Sequence, residues 1–251
     1  MNKTIAIVTG SSRGLGKALA YQLASQASEL ITVARTDDGQ LHALANNNGC
    51  KHTHYRFDLS NLQHINAAAL GIFSVLDPSA SRYILINNAG TLGPVGQYGK
   101  LRHDATNAVA EAFNLNVNSI IMLTSAFLEA TRNTGADVRV LNISSGAGRS
   151  PSAGWGVYCA TKAAVDMYTR VAKLEAKHAR LVSLAPGVID TEMQENIRSL
   201  DPADFPTLER YTQLHQNREL SQPEPLAQKI LNYLHSANFG QTEIDDIRHY
   251  L

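Results

Sequence analysis

Short apolar runs alternate along the chain with longer segments in which apolar residues recur at helical spacing. The short runs, rich in β-branched residues, predict strands at 4–9, 30–34, 53–57, 83–86, 138–143 and 180–184. The longer segments predict helices at 14–27, 61–75, 104–133, 155–177 and 223–235. Strands that alternate with helices are typical of βαβ units with right-handed crossovers.

The apolar runs also indicate how the sheet is covered. Residues 5–8 and 83–86 show no alternation of apolar and polar positions, and strands that are apolar on both faces belong to parallel sheets with helices on each side. No linker rich in Pro, Gly or Ser divides the 251 residues. We therefore expect an α/β fold with a single domain over 1–251, built on a Rossmann-like doubly wound parallel sheet of about seven strands with helices on both faces.

Segment 190–225 stands apart, because it shows no apparent strand and four prolines interrupt it. Apolar residues recur there at roughly helical spacing, at Met193, Phe205, Leu208, Tyr211 and Leu214. Two interpretations remain open. The segment is either a pair of surface helices that use these residues as core, or a substrate loop that forms a lid over an active site, as long inserts in α/β enzymes often do.

Composition and charge argue against several classes of partner. The hydrophobic fraction is 44%, and 22 basic residues balance 22 acidic ones, which argues against a nucleic-acid partner. Cys50 and Cys159 are too few for a disulfide framework or a structural zinc site, so we expect no metal. We recognise neither a signal peptide nor an apolar run long enough for a bilayer, so we expect a cytoplasmic protein without a membrane partner.

A glycine-rich turn follows the first predicted strand, with the sequence Thr9-Gly10-Ser11-Ser12-Arg13-Gly14-Leu15-Gly16. Glycine lets a backbone turn tightly and approach a pyrophosphate closely, and the helix that follows presents free N–H groups to the phosphates. Glycines in strand–helix turns also serve packing. The position at the first βα junction favours dinucleotide binding.

The residue after the second strand predicts which nicotinamide cofactor binds. NAD-binding proteins carry an acid there, whereas this chain has Arg35 and no acid until Asp37. A guanidinium fits a 2′-phosphate through paired hydrogen bonds, and Arg13 adds a second cation in the glycine turn. The two arginines favour NADP(H).

Tyr158 and Lys162 lie four residues apart in a predicted helix, so their side chains share one helix face. An ammonium beside a phenol favours the phenolate, and we expect it to lower the pKa of Tyr158 from about 10. Tyr158 would then act as a general acid or base near neutral pH. An ordinary helical pair is the alternative.

Polar residues at strand ends supply further candidates, because ligand-binding groups gather at the carboxyl ends of parallel strands. Ser144 and Ser145 follow the strand 138–143, where a hydroxyl can bond a substrate oxygen or cap a turn. Asn116 lies inside a predicted helix, which is mildly unfavourable and suggests a specific role; a solvated surface position is the alternative. Asp58 could accept the adenine amino group or cap the helix that begins near residue 61, and Asn87-Asn88-Ala89-Gly90 suits a polar turn.

Taken together, these residues resemble the short-chain dehydrogenase/reductase family. The ordered set is Thr9-Gly10-x-x-x-Gly14-x-Gly16, Asp58-Leu59, Asn87-Asn88-Ala89-Gly90, Asn116, Ser145, Tyr158-x-x-x-Lys162 and Pro186-Gly187 with Thr191. Each piece is weak by itself, but the set occurs in the family order and covers nearly the whole chain.

The resemblance implies a role for each residue. Tyr158 would be the general acid, Lys162 would lower its pKa and hold the nicotinamide ribose, Ser145 would polarise the carbonyl, and Asn116 would hold a proton-relaying water; Ser144 would be structural. The implied NADP(H)-binding residues are Gly10, Ser12, Arg13, Gly14, Leu15, Gly16, Arg35, Asp58, Leu59, Asn88, Ala89, Gly90, Tyr158, Lys162, Pro186, Gly187 and Thr191. No metal is implied.

A narrower resemblance is to the sepiapterin reductase branch, which bacterial benzil-type diketone reductases share. It rests on residues 87–93, 142–145, 154–159, 162–164 and 185–193. Candidate substrate contacts are Leu92, Trp155 one helical turn before the tyrosine, Met193, and Asp245 as the carboxylate that would anchor a pterin ring. A packing role for Trp155 and solvated charge for Asp245 near the terminus are the alternatives.

The expected function is that of an NADPH-dependent carbonyl reductase with a small, aromatic or pterin-like ketone or dicarbonyl substrate. The alternatives are a non-catalytic NADP(H)-binding regulator on the same fold, an alcohol dehydrogenase working in the oxidative direction, and a sugar-nucleotide epimerase or dehydratase. Retention of all four catalytic positions favours an enzyme. The family resemblance also implies a homodimer or homotetramer.

Overall fold

The computed structural model describes residues 3–101 and 105–250 of the chain. Within them, seven strands form one sheet in the order β3-β2-β1-β4-β5-β6-β7, with parallel pairing throughout. They are β1 (Thr4–Thr9), β2 (Glu29–Ala34), β3 (Lys51–Arg56), β4 (Arg82–Asn87), β5 (Asp137–Ile143), β6 (Ala179–Ala185) and β7 (Ile244–Asp246). This sheet confirms the expected Rossmann-like class.

The α-helices of the described residues cover both faces of the sheet. They are α1 (Gly14–Leu23), α2 (Gly39–Asn47), α3 (Leu62–Phe73), α4 (Thr106–Phe113), α5 (Ser119–Thr131), α6 (Gly156–Glu175), α7 (Glu192–Arg198), α8 (Leu208–Gln216) and α9 (Pro223–His235). None of those helices combines the length and apolar character needed to cross a membrane.

The two faces of β1 show why its sequence lacks alternation. Ala6 and Val8 are buried on one face with residues of α1, α2 and α9. Ile5 and Ile7 are buried on the other face with residues of α3, α5 and α6. Residues 5–8 of this inner strand therefore face apolar surface on both sides, and burial of this kind is the main favourable contribution to folding.

Several element boundaries differ from the sequence expectation. The first helix ends at Leu23 instead of 27, and the helix expected over 104–133 is divided into α4, a π turn over Asn114–Asn118, and α5; residue 104 lies outside the described residues. Both α2 and β7 were missed. Helix α2 buries only Leu41 and Ala45, and β7 has only 3 residues, so neither produces a clear period.

Segment 190–225 folds into α7, α8 and the start of α9. Phe205, between α7 and α8, is fully buried although prolines stand close to it in sequence. A bridge between Ile189 and Ser221 brings the ends of the segment together. The structure therefore contains the expected helix pair, and its apolar side chains pack against Trp155 and Tyr158 at the start of α6.

Candidate active site

The predicted site segments collect at the carboxyl edge of the sheet. Each follows or ends a strand: the glycine turn after β1, Arg35 after β2, 58–59 after β3, 87–90 at the end of β4, 144–145 after β5, and 186–187 after β6. The chain runs from β1 to β2 and β3 on one side, while β4 lies on the other side of β1. Such a reversal opens a crevice at the strand ends, where α/β proteins bind ligands.

Asn88 braces the glycine turn from the end of β4. Its side-chain amide donates to the carbonyl oxygens of Thr9 at 3.1 Å and Gly10 at 3.2 Å, and its backbone N–H donates to the Thr9 hydroxyl at 3.0 Å. A Cβ on Gly16 would lie 2.1 Å from the Gly10 carbonyl oxygen. Gly16 is therefore required for close packing of the turn.

The start of α1 fits a phosphate group. Arg13 is the N-cap residue in extended conformation, and no side chain caps the first N–H groups of the ten-residue helix. Uncapped N–H groups at a helix start carry a partial positive charge and favour anions. Gly10 and Gly14 adopt φ +67 and +52, the left-handed region that glycine favours, so the backbone of the turn fits a dinucleotide.

The two arginines expected to select NADP(H) have different surroundings. The Arg35 side chain is exposed, while its carbonyl oxygen accepts a hydrogen bond from Arg56 Nε at 3.0 Å. Arg13 forms an ion pair with Glu192 in the first turn of α7. The glycine turn is thus linked to segment 190–225, and a 2′-phosphate would have to share Arg13 with a carboxylate.

Asp58 closes a local turn instead of capping a helix. Its carboxylate accepts hydrogen bonds from the backbone N–H of Ser60 at 3.0 Å and its hydroxyl at 2.8 Å. Asn61 is the residue that caps α3. Burial opposes the charge of Asp58, but these hydrogen bonds and the charge of Arg35 hold its pKa below the usual value. Leu59 beside it is buried.

The structure brings the four candidate catalytic residues together at the ends of β4 and β5. Lys162 Nζ donates to the Ile143 carbonyl oxygen at 2.8 Å and lies 5.7 Å from the centre of the Tyr158 ring. A Cβ on Gly90 would lie 3.7 Å from Lys162 Nζ and 3.4 Å from Asn116 Oδ1. Gly90 therefore allows the ammonium and the amide to approach the same point.

Asn116 is positioned by the π turn that divides the long helix. It is fully buried, donates to the Thr91 carbonyl oxygen at 2.8 Å and the Thr161 hydroxyl at 3.0 Å, and accepts from the Thr91 N–H at 2.9 Å. Single π turns inside α-helices are rare overall, and those that occur often lie at functional sites. The buried contacts exclude the alternative of a solvated surface asparagine.

Ser144 and Ser145 point to different places. The Ser144 hydroxyl is buried and donates to Asp166 Oδ1 at 2.7 Å, which agrees with a structural role. Ser145 accepts from the Ala147 N–H at 3.1 Å, and its hydroxyl lies close enough to the Tyr158 phenol to lower the pKa of that group. The serine beside the phenol is therefore the one that the family pattern indicates.

The pKa of Tyr158 lies above its usual value in this structure, and not below it as the neighbouring Lys162 led us to expect. Burial raises the pKa of Tyr158 to about 12, and the neighbouring Ser145 hydroxyl only partly opposes the rise. Burial also lowers the pKa of Lys162 to about 8, although the charge of Asp166 acts in the opposite direction. Desolvation disfavours both charged forms. Because pH 7 still lies below both pKa values, the phenol is protonated and the amine keeps its charge.

An aromatic cluster covers Tyr158. Trp155 stacks on Phe205 with ring centres 4.7 Å apart and meets Tyr158 edge-on at 5.5 Å and Tyr211 at 5.3 Å. Leu92 packs against the same cluster. Sequence reasoning identified Trp155 and Leu92 as candidate contacts, but it treated Phe205 and Tyr211 only as apolar positions of segment 190–225.

Asp245 requires a correction. Its carboxylate accepts hydrogen bonds from the hydroxyls of Tyr233 at 2.6 Å and Tyr250 at 2.5 Å, and only 5% of the residue is exposed. The solvated interpretation is therefore wrong. The carboxylate is directed towards the tyrosines of α9 and the C-terminus and not towards the Trp155 cluster, so we assign Asp245 a structural role instead of a pterin contact.

The remaining candidates lie after β6. Gly187 adopts φ +81, and Pro186 precedes it directly. Thr191 is the N-cap residue of α7, and its methyl group would lie 3.1 Å from a Cβ on Gly14. This loop therefore faces the glycine turn across the crevice. Met193 is half-buried in the first turn of α7.

The parallel sheet, the glycine turn and the Tyr158–Lys162 helix define a nicotinamide-dependent oxidoreductase of Rossmann type. A family model described as short chain dehydrogenase matches residues 4–201. The chain belongs to this family, whose members act on CH–OH or C=O groups.

Similarity to known proteins indicates the branch of the family to which the chain belongs. The chain is 36% identical over 247 residues to a benzil reductase ((S)-benzoin forming) of Bacillus cereus, covering 95% of this chain and 96% of that protein. It is also 36% identical over 247 residues to a sepiapterin reductase of Meriones unguiculatus, covering 94% and 92%. A short-chain dehydrogenase/reductase structure from Burkholderia vietnamiensis superposes with a TM-score of 0.67 at 32% identity, covering 98% of both chains. These matches confirm the family and branch inferred from the motifs.

Proposed function

We propose that the protein is an NADPH-dependent carbonyl reductase that delivers a proton from Tyr158 to the oxygen of a ketone or dicarbonyl. The main support is the grouping of the buried Asn116, Tyr158 and Lys162 with the half-buried Ser145 beside the crevice at the strand ends. A protonated phenol next to a serine hydroxyl and an ammonium suits donation to a developing alkoxide.

The chain's own residues would perform the proton chemistry. NADPH, when bound, supplies the hydride, and the start of α1 with the glycine turn would hold its phosphates. The hydroxyls of Ser145 and Tyr158 would orient the substrate carbonyl, and Tyr158 would release its proton to that oxygen as negative charge forms there. Lys162 would stabilise the resulting phenolate by its charge, and Asn116 would hold a water that relays protons to the ammonium.

Selection of NADPH over NADH is supported by Arg35. Its side chain is exposed at the end of β2, where the adenosine ribose lies in dinucleotide folds. Arg13 is the second cation, although its ion pair with Glu192 reduces its availability. We therefore infer that Arg35 contributes most of the preference for a 2′-phosphate.

The substrate is proposed to be an aromatic carbonyl compound. The Trp155, Phe205 and Tyr211 rings form an apolar wall beside Tyr158, and segment 190–225 would move to admit a ring between them. The buried indole N–H of Trp155 lacks a hydrogen-bond partner within residues 3–101 and 105–250, so a second substrate oxygen would supply one. An aromatic dicarbonyl such as benzil meets both requirements.

The direct experiment measures NADPH and NADH oxidation with benzil, sepiapterin and simple ketones. We expect turnover with NADPH and an aromatic dicarbonyl, and a loss of at least about a hundredfold in Tyr158→Phe with NADPH binding retained. Tyr168→Phe is a control on the same helix, because that half-buried phenol bonds the Ile121 carbonyl oxygen away from the crevice.

The alternative functions give different outcomes. A non-catalytic regulator would bind NADPH tightly and turn over no carbonyl. An alcohol dehydrogenase would oxidise the corresponding alcohol with NADP faster than it reduces the carbonyl at neutral pH. Full activity in Tyr158→Phe would contradict the proposed proton donor whatever the substrate.

We also propose a homo-oligomer assembled through α5 and α6. Large apolar side chains are exposed there and on the adjacent α3, among them Leu70 at 75% and Leu174 at 69% exposure, with Met122, Met167 and Val171 nearby. Contiguous exposed apolar residues on a soluble protein mark association surfaces. A second copy of the chain would cover this face.

A further inference from the structure

Asp166 is buried one helical turn after Lys162, and its two carboxylate oxygens have separate partners. Oδ1 accepts from the hydroxyls of Ser144 at 2.7 Å and Ser183 at 2.6 Å. Oδ2 accepts from Arg149 Nε at 3.0 Å. One carboxylate therefore connects the end of β5, the strand β6, the turn after Ser145, and the helix α6.

The turn that carries Ser145 is pressed onto α6 at this point. A Cβ on Gly148 would lie 2.7 Å from the Lys162 carbonyl carbon, so only glycine permits the contact. Arg149 follows directly and, besides Asp166, donates to the carbonyl oxygens of Asp245 at 2.9 Å and Ser183 at 3.3 Å. The arginine fastens the turn to β6 and β7 through bonds that Lys could not reproduce.

The surroundings of Lys162 are otherwise neutral. The Ile143 carbonyl oxygen, Gly90 and the Asn116 amide approach the ammonium from β5 and from the ends of β4 and the π turn, and Tyr158 approaches from α6. On β7, which also contacts α6, the Asp246 carboxylate pairs with Arg248, and that of Asp245 is bonded by tyrosines. Within the described residues, Asp166 is the charge that favours protonated Lys162.

We propose that Asp166 is a positioning residue of the reductase. Through Ser144 and Arg149 it holds Ser145 against Tyr158, and through its charge it stabilises the ammonium form of Lys162. The inference rests on the proposed reduction for its catalytic consequence, whereas its effect on the titration of Lys162 is measurable without turnover.

The first test compares Asp166→Asn with the wild-type protein. The asparagine keeps an acceptor for the serines but removes the charge and the arginine contact. We expect kcat to fall about tenfold to a hundredfold because the serine moves relative to the phenol. We also expect the alkaline limb of the kcat–pH profile to move down by about one pH unit, with KM for NADPH unchanged.

Asp137→Asn is the matched control at the opposite end of β5. That carboxylate is also bonded by arginines, at 2.9 Å from Arg82, 2.8 Å from Arg139 and 2.6 Å from Arg180. Its loss should lower the thermal stability without moving the kcat–pH profile. An equal shift in both variants would mean that the profile reports stability, and it would overturn the proposal.

Arg149→Gln gives a second test that does not depend on a buried substitution. Removing this cation leaves the charge of Asp166 unneutralised, so the titration of Lys162 should move to higher pH, opposite to Asp166→Asn. Looser attachment of the turn should still lower kcat. Loss of packing alone would not move the titration of Lys162 in opposite directions in the two variants.

Proton titration of Lys162 can be followed by NMR of protein labelled with 13C at lysine Cε, with Lys162→Met for assignment. A lower titration midpoint in Asp166→Asn supports the inference even if no carbonyl is turned over, in which case only the proposed function fails. An unchanged midpoint, or one that moves in the same direction in both site variants, refutes the inference even if the wild-type protein reduces carbonyls.

Discussion

Replacing Gly154 by Ala should displace the segment that covers Tyr158. Gly154 adopts φ +86, and a Cβ there would lie 2.3 Å from the Asp204 carbonyl oxygen and 3.3 Å from the Phe205 ring. The closest atom belongs to the backbone, so no side-chain rotation relieves the overlap. The segment around Phe205 must move away from the start of α6.

The structure gives the size of the effect. The left-handed backbone costs about 1–2 kcal/mol for alanine, and an overpacked contact costs about 1–3 kcal/mol. Bonds from Gln97 at 2.6 Å and Lys100 at 2.7 Å to the Ala203 carbonyl oxygen, and the Lys100–Asp204 ion pair at 3.1 Å, resist the displacement. We therefore expect a loss of about 2–5 kcal/mol, much of it as local opening.

Trp155 makes the outcome directly visible, because it is the one tryptophan of the chain. In Gly154→Ala its emission should shift to longer wavelength and become more accessible to acrylamide, since Phe205 no longer stacks on it. Thermal unfolding should begin several degrees lower. In the reductase assay, KM for an aromatic carbonyl should rise more than kcat falls.

Gly156→Ala is the matched control. Gly156 begins α6, and a Cβ there would meet no atom within 4 Å, so alanine should leave the fluorescence unchanged and slightly stabilise the helix. If Gly154→Ala gives the same fluorescence, quenching and melting temperature as this control, the contact between the start of α6 and segment 190–225 does not exist as described.

Four further outcomes follow from the geometry. Arg35→Asp should weaken NADPH binding at least about tenfold while NADH binding changes little, because repulsion replaces a charge-assisted bond; an unchanged ratio of the two dissociation constants would exclude Arg35 from cofactor selection. Wild-type kcat for reduction should fall above about pH 8, where Lys162 loses its proton, and a plateau extending to pH 10 would contradict the need for the ammonium. Burial opposes the charge of Asp137, but its arginine partners hold its pKa at about 2, so it contributes about 2 kcal/mol above pH 4 that is lost as the pH falls towards 2; acid unfolding curves of Asp137→Asn should lack that part of the dependence. Leu174→Glu should dissociate the proposed oligomer in light-scattering measurements, and retention of the wild-type mass would exclude the α5–α6 face.

The fold and the position of the site were accessible from sequence because they depend on short-range patterns. Apolar runs without alternation require burial on both faces, and that requirement leads to a parallel sheet with covered sides. Polar and glycine residues just after those runs then share one edge. The resemblance to short-chain dehydrogenases added roles for Ser145 and Asn116 that their spacing does not reveal.

Other features depended on contacts between distant residues. The π turn that buries Asn116 leaves the helical spacing of apolar residues intact, so the sequence gives no sign of it. Asp166 is an acid in a predicted helix, and its role depends on Ser183 and Arg149, which are distant in sequence. Asp245 was expected to contact a substrate or to be solvated. The sequence does not indicate that the hydroxyls of Tyr233 and Tyr250 bond its carboxylate.

The amino-acid sequence by itself determined the sheet, the order of the site segments, and the pairing of Tyr158 with Lys162 on one helix face, since each follows from local periodicity and spacing. The tertiary structure decided the protonation of those two residues. Their pKa values depend on how much water and charge surround them, and burial raises the pKa of Tyr158 and lowers that of Lys162. Desolvation is a property of the assembled fold, so no local pattern could have revealed it.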